Sequence, residues 1–541
     1  MTTAEAIWTK PGPGTWELDS SHCGPAPGPI QRGLYEYGLE RGMREGFELF
    51  GTPLRTMEMR WVNGKFYRRL VPLIGGGRDL PPPPAAAIWL ATRLLPVFRR
   101  EERKAKASFL GKIWRDEIRR WEEEWKPALV KRNLELTDVV VESLDGDELA
   151  DHLVEVHEHG RRNAVLHFRL HVSDMGPLGN LMVSLEEWGL HRDDTFRALL
   201  AASPATREPA AQLRAVADAL RDAGVDPATI SALDDVRAVP AAGDRLDEYL
   251  RFHGHRLTTG YDIEDRVLLE LPDVIVASIR GAATRPAHDA SADVARSIAS
   301  LREQVPADKR AELDELVEDA RLSYGLRDEN GPLTYEWPAG LLRRALLECG
   351  RRLDVDPFEL TIDELVAMLR GGDGPSAEEL RQRAEERRWW ATLDAPLRLG
   401  PEQSLPPYTA MTEYLGRITK VVLAVVESME ALKDAAPLSG IGIGSAPYVG
   451  TARVVHDAVD ALSVMEPGDI VVAPYTAPTY NAVLSMAGAI VTEEGGLLCH
   501  AAVIARELGI PAVIGAADAM TLVPNGATVE VDPVGGTVRV L

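Results

Sequence analysis

Apolar residues recur every three to four positions through most of residues 85–433, a spacing that predicts helices. In the run Ser108 to Trp125 the apolar members Leu110, Ile113, Trp114, Ile118, Trp121 and Trp125 share a helical face, and Pro127 is the expected stop. Comparable amphipathic runs lie at 148–171, 208–224, 291–323, 339–352 and 376–391. The apolar stretch Asp273 to Ile279 fits either a strand or a buried helix, and periodicity does not decide between them. From 440 onward the texture changes. Thr451–Val455, Asp469–Ala473, Ala489–Thr492 and Ala512–Ile514 read as short strands, and 527–532 with 536–540 as a hairpin around Asp532-Pro533-Val534-Gly535. Tyr480–Met486 and His500–Leu508 read as helices between them. Strands alternating with helices imply a compact β/α domain.

Three breaks punctuate the chain: Ile74-Gly75-Gly76-Gly77 with Pro81 to Pro84, Gly371 to Pro375, and Asp434 to Gly440. The expected fold is therefore multidomain α+β. Residues 1–433 form a mostly helical domain, 434–440 a hinge linker, and 441–541 a smaller β/α domain.

Composition narrows the function classes. The 541 residues carry a net charge of -23, which argues against sequence-independent nucleic-acid binding. Three distant cysteines, Cys23, Cys349 and Cys499, make neither a disulfide framework nor a zinc finger. There is no signal-peptide pattern at the start and no apolar run of the roughly 18 residues a membrane span needs, so the expected location is the cytoplasm.

The chemistry concentrates around His500. Gly495-Gly496 makes a tight turn after a predicted strand, and a helix then begins near Cys499 or His500 and ends at Gly509, before Pro511. His500 thus falls in the first turn, where exposed N–H groups and the helix dipole favour an anion. A neutral imidazole there is a nucleophile suited to accepting a phosphoryl group. A lone histidine in such a place is more often a capping or packing residue; the surrounding sequence reverses that judgement.

The segment Gly495-Gly496-Leu497-Leu498-Cys499-His500-Ala501-Ala502, continuing to Gly515, closely resembles the phosphohistidine signature of PEP-utilising enzymes. The resemblance extends from Gly440-Ile441-Gly442-Ile443-Gly444 through Gly468-Asp469-Ile470-Val471-Val472 to Val531-Asp532. It implies a swivelling phosphohistidine domain with His500 as carrier and with Gly495, Gly496 and Arg506 at the phosphate. Dikinases usually have Thr-Ser before the histidine; Leu498-Cys499 stands here, so regulation through a hydroxyl at 498 is not expected. Cys499 reads as a packing residue rather than a reactive thiol.

Upstream, Trp16-Glu17-Leu18-Asp19-Ser20-Ser21-His22-Cys23-Gly24-Pro25 resembles the start of the substrate domain of rifampicin phosphotransferase and of two-component aryl phosphate synthases such as phenylphosphate synthase and 4-methylbenzyl phosphate synthase. Tyr249 to Arg256 with Tyr261-Asp262, and Leu341 to Glu348 with Gly350-Arg351-Arg352, are weaker matches. No ATP-grasp pattern and no PEP-binding barrel is visible in these residues. The resemblance therefore implies a phosphotransferase subunit loaded by a separate ATP-grasp subunit with ATP and Mg2+, delivering phosphate to a small hydroxyl acceptor, expected to be a phenol or alkylphenol. An antibiotic or other alcohol acceptor, and a non-catalytic phosphocarrier, are the alternatives.

Phosphorylating a hydroxyl needs a base and a cation. His255 is the preferred base, with His22 and His253 as alternatives and Arg256 as phosphate partner. His152, His157, His159, His167 and His171 form a further group; the last two share a helix face, which more often means a polar face than a metal site. No metal is assigned. Trp114, Trp121, Trp389 and Trp390 read as packing residues.

Overall fold

In a computed structural model, residues 8–19, 26–79, 83–190, 204–258, 261–284, 290–401, 407–433, 436–456, 458–476, 480–484, 486–496 and 499–541 are described. The internal contacts divide the chain into two units. One comprises Met1–Val183, Tyr261–Asp265 and Leu322–Leu423; the other comprises Ser184–Gly260, Arg266–Arg321 and Ala424–Leu541.

The first unit is built on two long helices, Pro29–Phe50 and Gly146–Leu170. Gly38, Gly42 and Gly46 recur every four residues on the first and face Ala164, Val165 and Val172. A Cβ on Gly38 would lie 2.6 Å from the Ala164 Cβ, so this glycine stripe is what lets the backbones approach so closely. Gly146–Leu170 starts with a capping box between Asp145 and Glu148, which satisfies its first orphan N–H groups.

Four antiparallel strands flank these helices: β1 (Trp16–Leu18), β2 (Leu54–Val62), β3 (Lys65–Pro72) and β4 (Arg398–Leu399), in the order β2-β3-β1-β4. This sheet is absent from the helical reading of the region. Its signal is Asn63-Gly64, whose positive φ values (48° and 71°) make the tight turn joining β2 to β3.

Pro127 does not end a helix as the sequence suggests. Pro127 lies inside Lys126–Thr137, directly after a π-helical turn at Trp121–Trp125. Pro338 follows a second π turn, Pro332–Glu336, in the same way. A proline donates no backbone hydrogen bond, and the wider turn re-registers the chain around the missing one. The run 291–323 is two helices, Ala290–Gln304 and Arg310–Gly331, separated at Val305-Pro306 because a residue before proline is pushed out of the helical region.

In the second unit a seven-stranded sheet spans β5 (Ile441–Ile443), β6 (Tyr448–Val454), β7 (Ile470–Ala473), β8 (Ala489–Thr492), β9 (Ala512–Ile514), β10 (Thr528–Asp532) and β11 (Thr537–Val540). Its order is β11-β10-β6-β7-β8-β9-β5, with β6 to β9 parallel and β5, β10 and β11 antiparallel. Strand alternation splits the core in two. Ile470, Val472, Ala489, Val491 and Val513 bury against one face, and Val471, Ala473, Ile490, Ala512 and Ile514 against the other. The second face also receives the helix His500–Leu508 through Ala501, Ala502, Ile504 and Ala505. Strands β6 to β11 and this helix fall close to where the sequence pattern puts them, β5 is a strand that pattern does not mark, and a helical region followed by a β/α domain is the fold the sequence predicts.

The remaining helices of this unit, including Pro204–Asp222, Pro240–His253 and Pro272–Thr284, share a separate core around Leu220, Leu246 and Ile275. The stretch 273–279 is helical. Pro272–Thr284 lies along Ala458–Val464 and Asn481–Leu484, and Ala290–Gln304 along His500–Leu508. No helix among the described residues is long and apolar enough to cross a membrane.

Candidate active site around His500

Parallel strands β7 and β8 end side by side, and the loops that follow stay paired: Glu493 N–H bonds the Ala473 carbonyl at 3.0 Å and Glu494 N–H the Pro474 carbonyl at 2.8 Å. The first loop presents Thr476 and the second presents Gly495, Cys499 and His500. The site therefore sits beyond the carboxyl ends of parallel strands, where α/β sheets generally place ligands.

His500 is the first residue of its helix. Cys499 is the N-cap, with extended backbone, and Gly509 ends the helix in the left-handed conformation. Gly495 has φ 122°, and a Cβ there would meet Cys499 Sγ at 2.9 Å and Ile514 Cγ2 at 3.1 Å. The turn therefore needs a glycine at 495. Gly496 has open space around it. Leu497 and Leu498 lie outside the described residues.

The His500 ring is bonded at Nδ1 to the buried Thr476 hydroxyl, 2.8 Å away. Burial pulls the imidazole down to about 3, so it is neutral near pH 7. Part of that burial has a visible source in the helix Ala290–Gln304 alongside. Neutrality leaves one ring nitrogen as a lone-pair donor. The Thr476 hydroxyl can accept from Nδ1–H or donate to Nδ1; where it accepts, the lone-pair nitrogen is Nε2. Burial raises the Cys499 thiol, against the opposing pull of backbone N–H groups and Arg506, so it is a packed thiol rather than a thiolate. Arg506, in the last turn, reaches back to the Ala502 carbonyl at 3.1 Å.

Thr476 is the residue that reading the sequence missed. Its only signal was position: a hydroxyl residue three places after the strand that neighbours the histidine's own.

The other sequence-derived candidates lie elsewhere. His22 is outside the described residues, as are Ser20 to Pro25; before them Trp16 is buried in β1 and Asp19 pairs with Arg68 at 2.8 Å. His255 and Arg256 occupy the turn after Pro240–His253, both half-buried, with the Arg256 guanidinium over the Phe252 ring. Gly254, expected to give His255 an accessible turn, has a helical φ of -61° and is itself buried. His253 is a core histidine: Nε2 meets Gln212 Oε1 at 2.8 Å, and burial, helped by Arg256, lowers it to about 2. His159 is likewise satisfied by Asn133 at 2.7 Å. Trp114 and Trp121 are buried, but Trp389 is exposed on a charged helix rather than packed.

Residues 465–536 match the family described as "PEP-utilising enzyme, mobile domain", and residues 169–328 match "Rifampicin phosphotransferase fourth domain". Chondramide synthase cmdD of Chondromyces crocatus is 24% identical over 99% of this chain, which covers 14% of that protein. The uncharacterized phosphotransferase YvkC of Bacillus subtilis is 33% identical over 30% of this chain and 19% of its own length. Phosphoenolpyruvate synthase of Escherichia coli is 45% identical over 17% of this chain and 12% of its own. The alignments thus span less than a quarter of the length of each of these relatives.

Proposed function

We propose that this chain, which carries the mobile domain of the PEP-utilising enzymes, is a phosphotransferase that holds a phosphoryl group on His500 and passes it to the hydroxyl of a small acceptor. The observation that carries this reading is a neutral imidazole at the first position of a helix, its Nδ1 fixed by Thr476. Nε2 attacks a donor phosphorus in line as the bond from that phosphorus to the donor's phosphoanhydride oxygen breaks and its electron pair leaves with that oxygen, and the helix N–H groups stabilise the charge on the phosphoryl oxygens. Gly495 holds the loop tight enough for this, and Gly496 leaves its approach open.

The phosphoryl source in this proposal is ATP with Mg2+, handled by an ATP-grasp module outside residues 1–541 and supplied as a separate subunit. The acceptor is a phenol or alkylphenol, a choice supported by the likeness of Trp16 to Pro25 to the aryl phosphate synthases. The match of residues 169–328 to a rifampicin phosphotransferase domain favours a second reading, in which the acceptor is a larger alcohol such as an antibiotic.

The test is to treat the full chain with phosphoramidate, a chemical phosphoryl donor to histidine, and map acid-labile phosphate by mass spectrometry. Label on His500, absent from His500→Ala, and its transfer to an added phenol are the expected results. Transfer that persists undiminished in His500→Ala overturns the proposal.

A further inference from the structure

The first unit contains a histidine whose protonation pattern is fixed by its neighbours, beside a cation and a nest of aromatic rings. His167 lies at the end of Gly146–Leu170, buried at 1% exposure. Its Nδ1 is 2.8 Å from Asn330 Oδ1. The Asn330 amide is oriented by its own Nδ2, which donates to the Leu326 and Arg327 carbonyls at 3.2 and 2.8 Å. Oδ1 can only accept, so Nδ1 carries the proton and the lone pair lies on Nε2. That nitrogen is 3.3 Å from the Tyr261 hydroxyl. An orienting amide, a base with its lone pair aimed outward and a half-buried phenol at its tip form a proton-accepting relay.

The backbone is irregular on both sides. The chain breaks from helix at His171 to Asp174, and the π turn Pro332–Glu336 brings Thr334 and Tyr335 to His167. Such π turns recur at functional sites. Asp174 is fully buried and pairs with Arg327 at 2.8 Å, yet its Oδ1 and the neighbouring Ser173 hydroxyl have no hydrogen-bond partner among the described residues. Buried polar atoms left unsatisfied in a native fold call for a reason, and a bound polar ligand supplies one. The half-buried Tyr261 and His171 stand over Tyr335, Tyr35 and Phe168, whose rings meet mostly edge to face at 5–6.5 Å. The His171 ring lies tilted against the His167 ring, their centroids 4.2 Å apart.

We infer that this cluster is the acceptor site, that it takes an aromatic hydroxyl compound, and that Tyr261 is its catalytic residue with His167 as the positioning base behind it. The assignment rests on the phosphotransferase reading above. In the step, the N–P bond of phospho-His500 breaks and its electron pair returns to the imidazole. The acceptor oxygen forms the new O–P bond. The acceptor proton passes to the Tyr261 oxygen as the Tyr261 proton moves to His167 Nε2. Arg327 offsets charge on the transferred group. Aromatic walls suit a phenol ring by edge-to-face contact.

The experiment uses the full chain phosphorylated with phosphoramidate, with phenol and 4-nitrophenol as acceptors at mildly alkaline pH. Phenol must lose its proton in the step, whereas 4-nitrophenol is already largely ionised. Tyr261→Phe and His167→Gln should load His500 fully, transfer to phenol about 100-fold more slowly, and transfer to 4-nitrophenol within about threefold of wild type. Wild-type rates with phenol, or equal losses on both acceptors, overturn the assignment. Failure to load His500 overturns the phosphotransferase reading instead. The site is then judged by saturation-transfer NMR of phenol with the unphosphorylated chain. Phenol signals that weaken at least about tenfold in His171→Trp, which puts a larger ring against His167, support it, and signals that do not change overturn it.

Discussion

Replacing Thr476 by Val isolates what the hydroxyl contributes to His500. The two side chains are nearly isosteric, and Thr476 is buried, so the swap removes one hydrogen bond of 2.8 Å and little else. A net buried hydrogen bond is worth about 1–1.5 kcal/mol, and leaving the imidazole Nδ1–H unpaired adds its desolvation cost. Where the hydroxyl accepts from Nδ1–H, as a nucleophilic Nε2 requires, that energy holds the proton on Nδ1. Its loss shifts the population toward the other tautomer and frees the ring to turn. A penalty of about 1.4–2 kcal/mol corresponds to a phosphorylation rate lowered about tenfold to thirtyfold. The assay is the rate of acid-labile phosphate incorporation from phosphoramidate, read beside the 15N shifts of the His500 ring, which report the tautomer. Thr476→Ser should stay within about threefold of wild type. If Thr476→Val is phosphorylated at the wild-type rate with an unchanged tautomer, the hydroxyl has no part in preparing the nucleophile.

Gly495→Ala should lower both stability, by about 1–3 kcal/mol in thermal unfolding, and His500 phosphorylation, because φ is 122° and the new methyl meets Cys499 Sγ; Gly496→Ala, in open space, should change stability by less than about 0.5 kcal/mol. In the second unit, His253 and His500 fall from an ordinary 6.5 to about 2 and about 3, so the unfolded chain binds protons first as pH drops. Their stabilising effect is complete above pH 6.5 and is lost below it, at about 1.4 kcal/mol per pH unit for each; calorimetry from pH 7 to 5 should show this slope, roughly halved in His253→Gln. In the first unit, burial and the neighbouring Asp262 raise the Asp265 carboxyl to about 8. That mismatch costs stability increasingly as pH rises from 3.8 toward 8, so Asp265→Asn should stabilise by about 2–4 kcal/mol at pH 7 and by almost nothing near pH 4, as followed by denaturant unfolding.

The second unit's sheet was legible because both of its periodicities are complete. Strands β7, β8 and β9 are four residues or fewer and apolar on both faces, and each is closed by a glycine or proline turn, so strand and helix lengths can be told apart. The first unit hid its sheet because β2 and β3 carry charges on their half-exposed face, as in Arg-Trp-Val-Asn-Gly-Lys-Phe-Tyr-Arg-Arg, which blurs the alternation and leaves Asn63-Gly64 as the only sharp mark. Pro127 misled for a related reason. A proline's local cost is readable, but a π turn that absorbs it depends on tertiary packing, here Trp121 buried with its indole N–H on Glu329 at 2.7 Å.

The histidines show where sequence reading stops. His500 was found because its neighbours form a long specific pattern, whereas His167, His253 and His255 carry no comparable local mark. What separates them is which atom each ring nitrogen faces. His253 ends on a glutamine inside a helical core and has nowhere to send a proton. His167 has one nitrogen fixed by an amide whose own orientation is set by two backbone carbonyls, and the other aimed at a half-buried tyrosine. That asymmetry draws on residues 167, 261, 327, 330 and 334, which no spacing rule connects. It arises because a helix break just after His167, at His171 to Asp174, and a distant π turn at Pro332–Glu336 bring the five together, and only the first lies near the histidine in the chain.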